Sequence, residues 1–206
     1  MEIKITANEA KKALLHFFLY GHGRYLAMTE YRFADVFALT RNWYGEEVEI
    51  KVDKWDLKKE LDIVSWCMGL GPRRPGNFNK TWKHSKYLEC AGHKLERDYY
   101  NGDNKDIPNR FYFAVVEELE GMALAGTAHV PYGVIVMTRR GTGKDAWIDI
   151  RIAKKAINLH GTKVEQETLM PVMRKVCTET LNVMQKLDKK EKEDREVLEK
   201  EMGVGE

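Results

Sequence analysis

The sequence predicts an α/β fold: a mixed β-sheet flanked by helices, with a long C-terminal helix. Two segments carry that expectation. Residues 31–53 (YRFADVFALTRNWYGEEVEIKVD) place apolar residues at alternate positions on either side of a polar break at Thr40-Arg41-Asn42, which reads as two strands and a turn. Residues 110–116 (RFYFAVV) are aromatic and β-branched, the composition of a central strand. Helix-like and strand-like segments alternate around both.

Taken in order, residues 7–20 space Ala10, Leu14, Phe17 and Phe18 as one helical face, and Gly21 and Gly23 supply the stop. Glu9 falls in the first turn, where a carboxylate favours the helix dipole. Residues 24–30 form a first strand ending at Glu30. Residues 55–68 form an amphipathic helix with Trp55, Leu57, Leu61, Val64 and Met68 as its apolar points. Residues 69–83 (GLGPRRPGNFNKTWK) read as a loop in which Arg73, Arg74, Lys80 and Lys83 interleave with Phe78 and Trp82. His84 and Lys86 follow. Such a segment suits phosphates and stacked bases, or is a solvated basic loop. Cys90-Ala91-Gly92-His93 has ligand-like spacing beside Cys67 and His84, but no second tight pair accompanies it.

Beyond 110–116, residues 117–128 read as a helix, 132–138 as a strand, and 146–152 as another. Gly141-Thr142-Gly143-Lys144 superficially resembles a phosphate loop. It lacks the upstream glycine, and Asp145 stands where Ser or Thr is needed, so it reads as a hairpin turn. From about residue 163 the chain reads as helical, with Leu169, Val172, Val176, Val183 and Leu187 as a stripe able to dock on the body or on a second copy. The run after Asp188 is nearly all charged. These observations divide the chain into a domain at 1–160 and a helical extension at 161–206.

The hairpin carries the chemistry. Centred on Asn42, it sets Phe37 opposite Glu47 and Asp35 opposite Glu49. Asp35, Glu49 and Lys51 then project from one side, and Ala34, Val36, Val48, Ile50 and Val52 fill the other. This is either an active-site sheet backed by a helix or an edge hairpin with solvated charges. Asp35, followed after thirteen residues by Glu49-Ile50-Lys51, resembles the PD-(D/E)XK, or restriction-endonuclease-like, nuclease superfamily. Ala34 stands where the motif's proline would be. Trp55-Asp56-Leu57, Lys83-His84-Ser85-Lys86-Tyr87 and Pro108-Asn109-Arg110-Phe111-Tyr112-Phe113 also resemble small phage and DNA-repair members.

The resemblance covers roughly residues 5–160 and implies a metal-dependent nuclease acting on DNA. It implies Asp35, Glu49 and the Ile50 carbonyl as ligands of Mg2+ or Mn2+, Lys51 as the residue that orients water, and Glu9 or Glu30 as an added carboxylate. Arg73, Arg74, Lys80, Trp82, Lys83 and His84 would meet nucleic acid, and a homodimer would suit cutting two strands. The alternative is a DNA-binding module with the same fold that does not cleave.

Composition agrees with these expectations. A chain of 206 residues with 43% hydrophobic content supports one core. A net charge of +2 requires any nucleic-acid surface to come from local clustering. Three irregularly spaced cysteines and no long apolar run point to a reducing cytoplasm and no membrane span.

Overall fold

A computed structural model describes residues 4–31, 34–70, 76–93, 107–141, 146–165, 170–171 and 173–178. The chain divides into two units, 1–164 and 165–206, a few residues later than the sequence suggested. In the second unit the described residues 170–171 and 173–178 are helical. Met170 and Met173 are exposed there and Val176 is half-buried. The expected stripe positions Leu169, Val183 and Leu187, the side chain of Val172 and the charged run after Asp188 lie outside the described residues.

The first unit is a six-stranded sheet whose spatial order follows the chain, β1 to β6. Strands β1 (Leu26–Tyr31), β2 (Ala34–Leu39) and β3 (Gly45–Lys51) form an antiparallel meander. β4 (Arg110–Val116) and β5 (Gly133–Arg140) continue parallel to β3, and β6 (Trp147–Lys154) returns antiparallel. Phe37 pairs with Glu47, as the hairpin register predicts. The strands 24–30, 110–116, 132–138 and 146–152 all appear within a few residues of their expected limits.

Helices cover both faces. α1 (Ala7–His16) starts at a capping box in which Thr6 and Glu9 satisfy each other's backbone N–H groups. It runs into a π turn at Phe17–Gly21. Ala10, Leu14 and Phe18 bury one stripe against Val36, Ala38, Val48, Ile50, Tyr112 and Ala114. Burying a leucine or phenylalanine this way stabilises the fold by roughly 1.5–3 kcal/mol each. The opposite face packs under α2 (Lys54–Cys67), α3 (Phe78–Cys90) and α4 (Glu120–Gly126), around Leu57, Val64, Leu88, Phe111, Phe113 and Tyr132. Asp53 caps α2 by accepting the Trp55 and Asp56 N–H groups.

Two expectations are corrected here. Trp55, taken as an apolar point of its helix, is 68% exposed because it sits in the first turn, ahead of the buried stripe from Leu57 to Val64. The loop expected over 69–83 gives way to α3 at Phe78, where Asn77 accepts the Lys80 N–H as an N-cap. The Gly and Pro signals end at Gly76. Lys80, Trp82, Lys83 and His84 are therefore helical residues, while Arg73 and Arg74 lie outside the described residues.

Close packing at the start of β5 depends on a missing side chain. A Cβ at Gly133 would stand 2.3 Å from the Tyr112 ring and 2.7 Å from the Ala156 backbone nitrogen. Gly133→Ala is expected to cost about 2 kcal/mol or more in urea denaturation. An unchanged midpoint would show that the backbone yields there.

Candidate functional site

Alternation along β3 sends Val48 and Ile50 toward α1 and Glu47, Glu49 and Lys51 toward α2 and α3. The parallel neighbour β4 sets Phe111, Phe113 and Val115 beside those three charges. Glu47, Glu49 and Lys51 are consequently buried on the floor of the helical layer. An uncompensated charge there would cost several kcal/mol, so the helices must answer each one.

α3 supplies the cations. Lys83 lies 3.0 Å from Glu49 Oε2 and 2.5 Å from Glu47 Oε1. Tyr87, one turn on, donates to Glu47 Oε2 at 2.6 Å. Lys80 reaches Glu49 Oε1 at 3.3 Å and also pairs with Glu60. Lys51 lies 3.1 Å from Glu49, 2.9 Å from Asp56 and 3.4 Å from Glu60, the last two on α2. Glu60 is 1% exposed and its other oxygen meets His84 Nε2 at 2.8 Å. His84 Nδ1 lies 3.0 Å from the Tyr132 hydroxyl.

Asp35 enters from β2. Regular pairing with β3 stops at Val36 and Val48, and the Asp35 carboxylate accepts the Ile50 N–H at 2.8 Å. Lys11 on α1 lies 3.7 Å from its other oxygen and also pairs with Glu30. The sheet thus brings Asp35 against the Glu49-Ile50-Lys51 run.

The electrostatics follow from this geometry. Burial raises the Glu49 carboxyl, but Lys83, Lys51 and Lys80 outweigh it and hold the group at about 2. Burial likewise opposes ionisation of Glu60, and the His84 hydrogen bond with the nearby lysines holds it well below the ordinary carboxylate range. Desolvation works against the charge on Lys51, yet Glu49, Glu60 and Asp56 keep its ammonium above the usual lysine range. Lys83 is held up in the same way by Glu47 and Glu49. Asp35 goes the other way, raised chiefly by burial, with the Ile50 N–H opposing and Glu49 adding to the rise. Burial pushes the His84 imidazole down, and the Glu60 carboxylate beside it works in the opposite sense. Its Nε2 faces the Glu60 carboxylate and its Nδ1 the Tyr132 hydroxyl, so the ring bridges α2 and the chain before β5.

Asp35, Glu49, Ile50, Lys51, Lys80 and Lys83 come together here. A cleft of about 240 Å3 opens on the Glu49, Lys80 and Lys83 side of the cluster, where Asn77 and Asn79 complete its lining. Glu9 is held elsewhere: Thr6 and Arg139 share its carboxylate, and Arg139 and the Thr6 donors pull it down to about 2. Trp82, also expected to meet nucleic acid, has Lys86 over its ring. His84 is fully buried and Lys83 nearly so, which makes them supports of the acids rather than surface groups.

The sequence reading missed Glu47, Asp56, Glu60, Tyr87 and Tyr132 as members of the cluster. Glu60 had a signal, because it shares the buried helical stripe of Leu57, Leu61 and Val64.

The acids of the cluster offer hard oxygen donors. Five carboxylates (Asp35, Glu47, Glu49, Asp56 and Glu60) against four lysines (11, 51, 80 and 83) leave one negative charge when all are ionised. Among the described residues no three His, Cys, Asp or Glu side chains form a ready-made metal cage. Two carboxylates completed by water and substrate are ordinary for magnesium.

No protein-family model and no curated protein matches the chain. Among solved structures, the SPO1766 protein of unknown function from Silicibacter pomeroyi is similar, at 16% identity and a TM-score of 0.48, over 90% of this chain and 93% of that one.

The network has a stability signature. Glu49 and Glu60 lie below the 4.5 of an ordinary glutamate, so the unfolded chain takes up protons first on acidification. Their contribution is present above pH 4.5 and is lost as the pH falls toward 2. Glu60→Gln is expected to flatten that decline and to cost roughly 3 kcal/mol at pH 7, since it leaves buried Lys51 without one of its anions. Urea titrations at stepped pH measure both. An unaltered acid slope would show that Glu60 carries no charge in the fold.

Proposed function

We propose that this protein is a metal-dependent nuclease that hydrolyses DNA phosphodiester bonds, built on a restriction-endonuclease-like core. The observation that carries the proposal is the bond from the Ile50 N–H to Asp35. It brings the β2 acid to the Glu49-Ile50-Lys51 run at the point where the two strands part. The order of elements is also compatible with the resemblance: two acid-bearing strands, two helices, then a parallel strand.

In this reading Asp35 and Glu49 hold Mg2+ or Mn2+, with the Ile50 carbonyl as a third oxygen. The bound ion would neutralise charge on the scissile phosphate and lower the pKa of the attacking water. Asp35 is oriented for this by the Ile50 N–H, and Glu49 is kept ionised by Lys83 and Lys51. Lys51 stays protonated, so it orients water and steadies developing negative charge rather than accepting a proton. The cleft at Asn77, Asn79 and Lys80 would admit the strand to be cut. Arg73 and Arg74 would add phosphate contacts.

One observation favours a second reading. Lysines already engage both oxygens of Glu49, as they would in a DNA-binding module of the same fold that does not cleave. Variants separate the two. Asp35→Asn and Glu49→Gln should each reduce magnesium-dependent cleavage by about a hundredfold or more, since even outer-shell changes cost ten- to a hundredfold. Circular dichroism checks that each variant folds. Cleavage by both at the wild-type rate would remove the reaction from this site, and salt-dependent DNA binding without cleavage by the wild type would establish the second reading.

A further inference from the structure

β6 carries a pattern that the reaction at Glu49 does not use. It is the last strand of the sheet, and among the described residues no strand pairs with its outer edge. Along Trp147-Ile148-Asp149-Ile150-Arg151-Ile152, burial alternates strictly. Ile148, Ile150 and Ile152 turn to the α1 face and are only half-buried. Trp147, Asp149 and Arg151 are exposed on the other face. The isoleucine face continues into an open groove of about 300 Å3, lined by Ala13, Phe17, Tyr20, Ile148 and Ile150 among others. Tyr20 at its rim is 76% exposed.

We propose that β6 is a self-association edge, on which a second copy adds its own β6 antiparallel about a two-fold axis through Ile150. Charge favours one register. A two-fold axis normal to the sheet keeps every residue on its own face, so the axis must pass through a residue position. Centring it on Asp149 sets that aspartate against its own copy. Centring it on Arg151 does the same with the arginine. Like charges directly opposite are unfavourable. Only Ile150 as the centre places Asp149 opposite Arg151 twice and Ile148 opposite Ile152 twice. Asp149 and Arg151 are about half exposed, with Arg140 and Glu120 as intramolecular neighbours, so both remain available to a second strand. A bulge ends the regular edge: Ile135 pairs with Ile152 and Val134 with Lys154, skipping Ala153. Pairing therefore spans Ile148 to Ile152. On the apolar face the second copy covers the groove beside Phe17 and Tyr20, joining two six-stranded sheets into one of twelve. The surface lies in the first unit and needs no contribution from the C-terminal stripe.

Sedimentation equilibrium of the full chain at tens of micromolar tests this, with thermal melts confirming that each variant is folded. Wild type should be dimeric. Asp149→Arg places arginine opposite arginine at both pairs and should weaken the dimer about tenfold or more. The double variant Asp149→Arg with Arg151→Asp restores opposite charges in the same register and should return to near the wild-type affinity. A monomeric wild type, an unaffected single variant, or a double variant as weak as the single one would each overturn the proposal.

Discussion

Glu49 cannot be buried alone. It sits on a strand with β-neighbours on both sides and helices above, and an isolated carboxylate there would protonate or prevent packing. Lys83 and Lys51, with Lys80 at the cleft, keep it ionised. The rest of the helical layer is set by that requirement. α3 must lie where one turn brings Lys80 and Lys83 over β3 and the next brings Tyr87 to Glu47. α2 must present Glu60 so that Lys51 and Lys80 are answered in turn. Tyr132 on the chain leading into β5 then orients His84, which holds Glu60. A cluster of this kind contributes little net stability against an apolar core of equal volume, but losing one member is costly.

The same arrangement separates the roles of residues that share a charge. Lys51 and Lys83 are both buried and both held protonated, which makes them fixed positive charges. Lys80 is about one-third exposed and lines the cleft, so it is the lysine of the three best placed to meet a phosphate. Asp35 differs from Glu49 because its neighbours leave it raised rather than lowered. The two proposed ligands are thus an acid already ionised by its lysines and one whose ionisation a bound cation would favour.

Much of the sheet was legible because strand signals are local. Alternation from Ala34 to Val52 and the aromatic run at 110–116 gave the strands, the hairpin register and the central position of β4. The shared face of Glu49 and Lys51 followed from the period of two, whereas Asp35, expected opposite Glu49, lies beyond the regular β2–β3 pairing, with its carboxylate on the Ile50 N–H and near Lys11 of α1. The helix α3 was hidden because the Gly and Pro residues at 69–76 suggested a loop that extended to the lysines. The Asn77 cap and the spacing of Lys80, Lys83 and Tyr87 were the signals against it. Which cation answers which acid was not legible, since Lys83 and Glu49 are 34 residues apart and meet only through packing. The resemblance made Glu9 a metal-site candidate from its place on the first helix, whereas its partner Arg139 lies 130 residues away on β5.

The most direct test of the account is cleavage itself. Purified protein would be incubated with labelled duplex, nicked, branched and single-stranded DNA, with and without magnesium or manganese. The account predicts cutting of at least one of these substrates that depends on the added ion and stops when it is chelated. Absence of cutting on every substrate with either ion, by protein shown to be folded, would contradict it.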